Sequence, residues 1–212
     1  MITLRKATAA DCPEMAALLT DVFDGYPIYA LTDGHTKGGH TAREMLAAMN
    51  VMLCNFFMRY GKDCFIAEDE GIMAGLIMPE SPLSPRMSAV RSSLCGGLEL
   101  FKYMSPGALR EYAQVLIAPD ADRKLRGKDD MYILNIAVKD LWRGQGLGRT
   151  LIDECAVPYA REKGCTRITL NTCTDEGVKM YEHLGFEKVD EVTYSCFGKS
   201  VVHAAMARCL SC

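Results

Sequence analysis

Apolar positions along this chain follow two rhythms. After an extended ITLRKAT, Met15, Leu18, Leu19, Val22 and Phe23 recur at helical spacing behind a capping Thr8 or Asp11. A second helix fits TAREMLAAMNVMLCNFFMRY and stops at Gly61, with the glycine- and aromatic-rich DGYPIYALTDGHTKGGH between the two as a loop. DCFIAEDEGIMAGLIMPE changes to strand character: Phe65 to Ala67 in one strand, a turn at Glu70-Gly71, and Met73 to Met78 in the next, ended by Pro79, Pro82 and Pro85. Residues 86–118 return to the helical period, and breaks at Gly96-Gly97 and Pro106-Gly107 divide them into two or three short helices. The charged DADRKLRGKDD, 120–130, reads as a solvated loop.

The last third is plainer. MYILNIAV is a strand, LGRTLIDECAVPYAREKG a helix that Pro158 should kink, and TRITLNT a strand. DEGVKMYEHLG is a helix closed by Gly185, and FEKVDEVTY and SVVHAAMAR are two final strands. Strand and helix in this order predict an α/β protein with a mixed sheet. With 212 residues and no internal repeat, one domain spanning 1–212 is the simplest organisation.

Composition narrows the function classes. A hydrophobic fraction of 49%, a charged fraction of 24% and a net charge of -3 describe an ordinary globular chain. They argue against a surface built for nucleic acid or an anionic membrane. Charge within the first six residues and the lack of a long apolar run predict a cytoplasmic protein. In a reducing compartment the 10 cysteines read as buried thiols, and Cys209-x-x-Cys212 has no second pair for zinc, so no metal is expected.

The candidate chemistry begins at WRGQGLG, 142–148, between a strand and a helix. Closely spaced glycines at a helix start let bare amides converge on an anion, with the helix dipole adding to the attraction. Gly144, Gly146 and Gly148 lack the G-x-G-x-x-G spacing of a dinucleotide loop, and Arg149-Thr150 lacks the lysine of a P-loop. What remains is [RQ]-x-x-G-x-[GA]. About thirty residues on, MYEHLGF places a tyrosine one helical turn before a Gly-Phe pair.

With these two motifs and the order of elements, the chain resembles the GNAT superfamily of N-acetyltransferases. The resemblance implies an α/β fold with a mixed, mostly antiparallel sheet, splayed central strands and flanking helices. It also implies acetyl-CoA as co-substrate and transfer of its acetyl group to a primary amine in a ternary complex. A weaker likeness, carried by VFDGYP, PES, MYILNIAV and LNT-x-x-x-x-G-V-x-x-YEHLGF, is to the puromycin N-acetyltransferase branch. The chain departs from that branch at Gly177, where an asparagine is common, and throughout 86–130, a helical insertion expected on the acceptor side.

By resemblance, Gly144, Gln145, Gly146, Leu147, Gly148 and Arg149 hold the pyrophosphate with Arg143 as a further donor, and Ile136, Ala137 and Val138 face the pantetheine arm. Read from the residues alone, those three are equally well buried strand. Tyr181 is the expected general acid, since a phenol with a pKa near ~10 is matched to a departing thiolate. The strand MYILNIAV holds no carboxylate, only Tyr132 and Asn135 as polar members, so Glu80 at the end of the hairpin is the expected general base, with Glu68 and Asp130 as competitors.

His35 and His40 lack a third metal ligand, and Phe23, Tyr26 and Tyr29 either line an acceptor pocket or pack around a loop. A covalent relay through Cys173 lacks an activating base. The expected partner is a small-molecule amine, with no nucleic acid and no membrane; a homodimer, a protein amine as acceptor and a non-catalytic acyl-CoA sensor stay open.

Overall fold

The computed structural model describes residues 1–117 and 125–210. Seven strands form one sheet: β1 Ile2–Lys6, β2 Phe65–Asp69, β3 Ile72–Glu80, β4 Asp130–Val138, β5 Arg167–Thr172, β6 Glu187–Cys196 and β7 Lys199–Cys209, in the order β1-β2-β3-β4-β5-β7-β6. Every neighbouring pair is antiparallel except β4 and β5. Those two run parallel and pair only where Asp130, Met131 and Tyr132 meet Arg167, Ile168 and Thr169. Beyond Tyr132 they part, and the rest of β4 borders a gap in the middle of the sheet.

Helices cover both faces. On one, α1 Cys12–Phe23 and α3 Ala42–Arg59 set Leu18, Leu19, Phe56 and Phe57 against Ile66, Leu76 and Met78. On the other, α7 runs from residue 147 to 162 and, with α8 Asp175–His183, packs Leu151, Ile152 and Tyr181 on Ile168, Leu170 and Met206. The short α2 Pro27–Ala30, inside the stretch expected to be loop, joins α6 Pro106–Ile117 in a third cluster over the end of β7, where Ile28 and Tyr112 meet Val201. Two smaller helices, α4 Ala89–Ser93 and α5 Leu100–Tyr103, complete the helical stretch after the hairpin.

Local chemistry explains the boundaries. Thr41 and Glu44 form a reciprocal cap at the start of α3, with Glu44 N–H donating to Thr41 Oγ1 at 3.2 Å and Thr41 N–H to Glu44 Oε2 at 2.7 Å. Arg5 grips Asp11 with both terminal nitrogens, at 2.9 and 2.7 Å, and Glu68 at 2.6 Å, tying β1 and β2 to the start of α1. Pro158 is absorbed without breaking α7. The preceding turn, Leu151–Ala156, widens to a π-helix, so that Val157 N–H bonds Ile152 O and the proline's missing donor leaves no gap in the ladder.

Two expectations need correction. Pro79 does not end its strand: β3 continues through it to Glu80, because β4 bulges opposite. The register passes from Met78 with Asn135 to Pro79 with Ile133, leaving Leu134 as the extra residue, and a residue with no N–H is tolerated at such a break. The 120–130 stretch, of which 120–124 lie outside the described residues, is not simply solvated. Leu125 and Asp130 are buried, since Arg167 neutralises the aspartate and Leu125 packs under Tyr132 and Ala205.

Candidate active site

The glycine loop turns from a strand end into a helix start. Val138 ends β4, a single 3-10 turn over Asp140–Trp142 follows, and α7 begins at Leu147. The first amide of α7 that finds a helical carbonyl is that of Thr150, which donates to Gly146 O at 3.0 Å. The amides of Leu147, Gly148 and Arg149 precede it and are therefore free for a ligand. Gly144 and Gly146 hold φ of +73° and +81°, a region that costs a side-chain-bearing residue about 1–2 kcal/mol. A Cβ at Gly144, Gly146 or Gly148 would meet nothing within 4 Å, so space stands open before the loop.

Side chains fix this loop from behind. Trp142 Nε1 donates to Asp69 Oδ2 at 3.2 Å, Gln145 Nε2 to Leu141 O at 2.8 Å, and Arg149 Nη2 to His183 O at 2.9 Å. Arg143 folds back, donating from Nε to Val138 O at 3.2 Å and pairing with Asp140 at 2.9 Å. It therefore stands at the rim as an exposed cation whose first partners are its own loop.

Where β4 and β5 part, phenols converge. The Tyr26 hydroxyl lies 3.2 Å from Thr172 Oγ1 and accepts from Cys173 N–H at 2.7 Å, anchoring α2 across the end of β5. Asn171 Nδ2 donates to the Tyr132 hydroxyl at 3.3 Å. Tyr181, on α8, packs edge-on against Phe186 with centroids 5.6 Å apart, and its hydroxyl has no hydrogen-bond partner among the described residues. Burial, with the Tyr26 and Tyr132 phenols nearby, pushes the Tyr181 pKa well above the usual phenol value, so its proton is retained across the working pH range. Phe23, Tyr26 and Tyr29 form one edge-packed group beside it.

The carboxylates are committed elsewhere. Glu80 accepts from Lys62 on one oxygen and from Arg126 on the other, while Arg126 also lies 3.8 Å over the Tyr132 ring. Burial would raise the Glu80 pKa, but the two cations outweigh it and hold the carboxyl below its ordinary value. Lys62 passes between Phe56 and Phe57 on its way to this pair. Glu68 belongs to the Arg5 clamp, and Asp130 is held at 2.8 and 2.7 Å by Arg167.

The remaining candidates are also tied down. His35 stacks on Phe197 at 4.1 Å and His40 lies against Tyr103 while pairing with Glu44. Burial pushes the Cys173 thiol up to about 11, away from a reactive thiolate. Among the described residues no group of His, Cys, Asp and Glu side chains is arranged to hold a metal ion, and Cys212 lies outside them. No described helix is long and apolar enough to cross a membrane.

The family model described as "Acetyltransferase (GNAT) family" matches residues 36–186, from before α3 through the loop to the Phe186 that follows α8. The chain belongs to the GNAT acetyltransferase family. Solved structures share its fold at low identity. An N-acetyltransferase from Staphylococcus aureus Mu50 is 15% identical with a TM-score of 0.59, over 100% of this chain and 99% of that one. The ribosomal-protein-alanine N-acetyltransferase from Brucella melitensis is 18% identical with a TM-score of 0.58, over 98% and 99%. A Salmonella typhimurium protein solved with its cofactor acetyl-CoA is 15% identical with a TM-score of 0.54, over 100% and 95%.

As a GNAT protein the chain is an acyltransferase that uses acetyl-CoA, and the residues present suit that donor: free amides at a helix start, open space in front of them, and a parted pair of strands beside them. Three features of this GNAT site were not legible as separate motifs. The Leu134 bulge frees β4 backbone at the point where the strands diverge, and its sequence signal was a proline inside a strand pattern. Asn171 and Thr172 stood in the LNT stretch of the narrower likeness, but without a role assigned to either. Gly177, where an asparagine was expected from the narrower likeness, has a steric reason: a Cβ there would lie 2.1 Å from Thr172 Oγ1 and 2.9 Å from Thr174 Oγ1. Gly177→Ala is expected to lower stability by about 1–3 kcal/mol, read as a lower denaturant midpoint at unchanged m-value.

Proposed function

We propose that the protein acetylates a primary amine of a small molecule by direct attack in a ternary complex. The observation that carries this reading is an acceptor side built from phenols, with its two carboxylates paired to cations. Tyr112 on α6 donates from its hydroxyl to Ile28 O at 3.1 Å, joining α6 to α2, and Tyr26 beside α2 reaches Thr172 at the end of β5. The cleft carboxylates Glu80 and Asp130 are already neutralised by cations. An aromatic, charge-balanced site suits a compact amine better than a basic peptide, which would seek an acidic groove.

In this mechanism the amides of Gly144 to Arg149 bind the donor's pyrophosphate with Arg143 at the rim, and backbone of Ile136, Ala137 and Val138 lines the path of its arm. A β4 amide freed beside the bulge polarises the thioester carbonyl, which the amine attacks. Tyr181, fully protonated, donates to the departing sulfur, and the proton that the nitrogen sheds as the amide forms restores the phenol, so that the products are the amide and the free thiol. Glu80 acts here as a positioning residue: it holds Arg126 over Tyr132 and leaves neither oxygen free for the acceptor's proton.

Incubating the protein with acetyl-CoA and separate panels of small amines and peptides, and following free thiol, tests the assignment. Thiol release with small amines is expected; release with peptides alone would move the acceptor to a protein amine, and release with neither would leave a binding module. A second check is on the loop. Gly146→Val is expected to raise the calorimetric Kd for acetyl-CoA about tenfold or more, since the residue then resists the left-handed backbone that aims the amides.

A further inference from the structure

Two buried groups beside the cleft have no hydrogen-bond partner among the described residues: Asn171 Oδ1 and the imidazole of His203, on both ring nitrogens. Interiors hold few such atoms, because each costs the full loss of its hydration. Three of them on one face of the sheet need a reason.

The sheet register brings them together. Asn171 on β5 stands opposite Ala205 on β7, two residues from His203, so Asn171 and His203 are diagonal neighbours on the same face, about 7–8 Å apart at Cα. Asn171 is already joined to the cleft through Tyr132, which packs with Ala205. His203 is 4% exposed and flanked by Ala205 and by Val201, which packs with Tyr112 and Ile28. Its ring meets Tyr194 edge-on at 5.0 Å. Burial lowers its pKa, so at neutral pH the ring has one nitrogen that donates and one that accepts. The charged group nearest along this face is Asp190 on β6, opposite Ala205, while Glu80, Arg126 and Asp130 are paired with one another or with Lys62 and Arg167.

We propose that Asn171 and His203 form an acceptor subsite for an uncharged group that both donates and accepts hydrogen bonds, a hydroxyl or a carboxamide carried by the amine substrate. The assignment rests on the small-amine reading of the cleft and deepens it. A hydroxyl donating to Asn171 Oδ1 and accepting from the imidazole N–H satisfies two of the three atoms at once. An amine lacking that group leaves them unpaired in the complex, which is how sites built around hydrogen bonds reject truncated analogues.

Tyramine and phenylalaninamide, compared with 2-phenylethylamine, test this. The wild type is expected to favour at least one of the first two by tenfold or more in kcat/KM, and His203→Phe and Asn171→Leu should each reduce that preference by about tenfold, through KM, with acetyl-CoA affinity unchanged. Because His203→Phe removes buried unpaired nitrogens at similar volume, its Tm should rise. A wild type without preference, or a preference that survives both substitutions, overturns the subsite. Calorimetric titration with the same amines separates this from the catalytic reading. Selective binding without thiol release keeps the subsite and removes acetyl transfer, while thiol release without selectivity removes the subsite alone.

Discussion

Tyr181→Phe is expected to lower kcat by about 10²–10⁴-fold, the usual worth of a positioned proton donor, while the Kd for acetyl-CoA stays within about twofold of the wild type. The substitution removes one oxygen and keeps the edge-on packing on Phe186, so the fold and the donor loop are left intact. The hydroxyl is held near Tyr26 and Tyr132 and has no partner among the described residues. Its raised pKa means that the donor form persists through the alkaline range, so the wild type should show no loss of kcat assignable to Tyr181 below about pH 10. Steady-state rates paired with calorimetric binding check this; a variant that turns over at the wild-type rate removes Tyr181 from the chemistry.

Glu80→Gln is expected to cost about 3–5 kcal/mol of stability, because it leaves Lys62, whose side chain is 1% exposed, and Arg126 without their shared counter-charge. The pH dependence follows from the depressed Glu80 pKa. Stability from the ionised carboxylate is fully present above the unfolded value of about 4.3 and is lost as pH falls through the lower folded value. The gap between wild type and variant in a denaturant melt should therefore be constant near neutrality and narrow below about pH 4. If Glu80 positions Arg126 and does not take the acceptor's proton, the acidic limb of the kcat/KM profile should survive in the folded variant. Its disappearance would return Glu80 to the role of base.

The glycine loop and the tyrosine before Gly185 were readable because each rests on short-range chemistry. Glycines at Gly144 and Gly146 announce left-handed backbone at a helix start, and the apolar period around them announces the strand and helix that aim it. The carboxylates were not readable in this way. Glu80, Glu68 and Asp130 look alike in sequence, and what distinguishes them is the arginine or lysine brought to each from 18 to 63 residues away. Pro79 shows the limit from the other side. A local rule ended the strand there, and a bulge in β4, contributed from a distant part of the chain, allowed it to continue.

Sequence by itself thus determined the class of protein and its donor: alternating elements, a glycine turn of defined spacing and a tyrosine one turn before Gly185 all act over a few residues, where the chain's own geometry decides. Tertiary structure alone decided which polar groups are free. Pairing is a matter of long-range register and burial, and only the folded sheet sets Glu80 between two cations while leaving the Asn171 oxygen and the His203 ring without partners among the described residues.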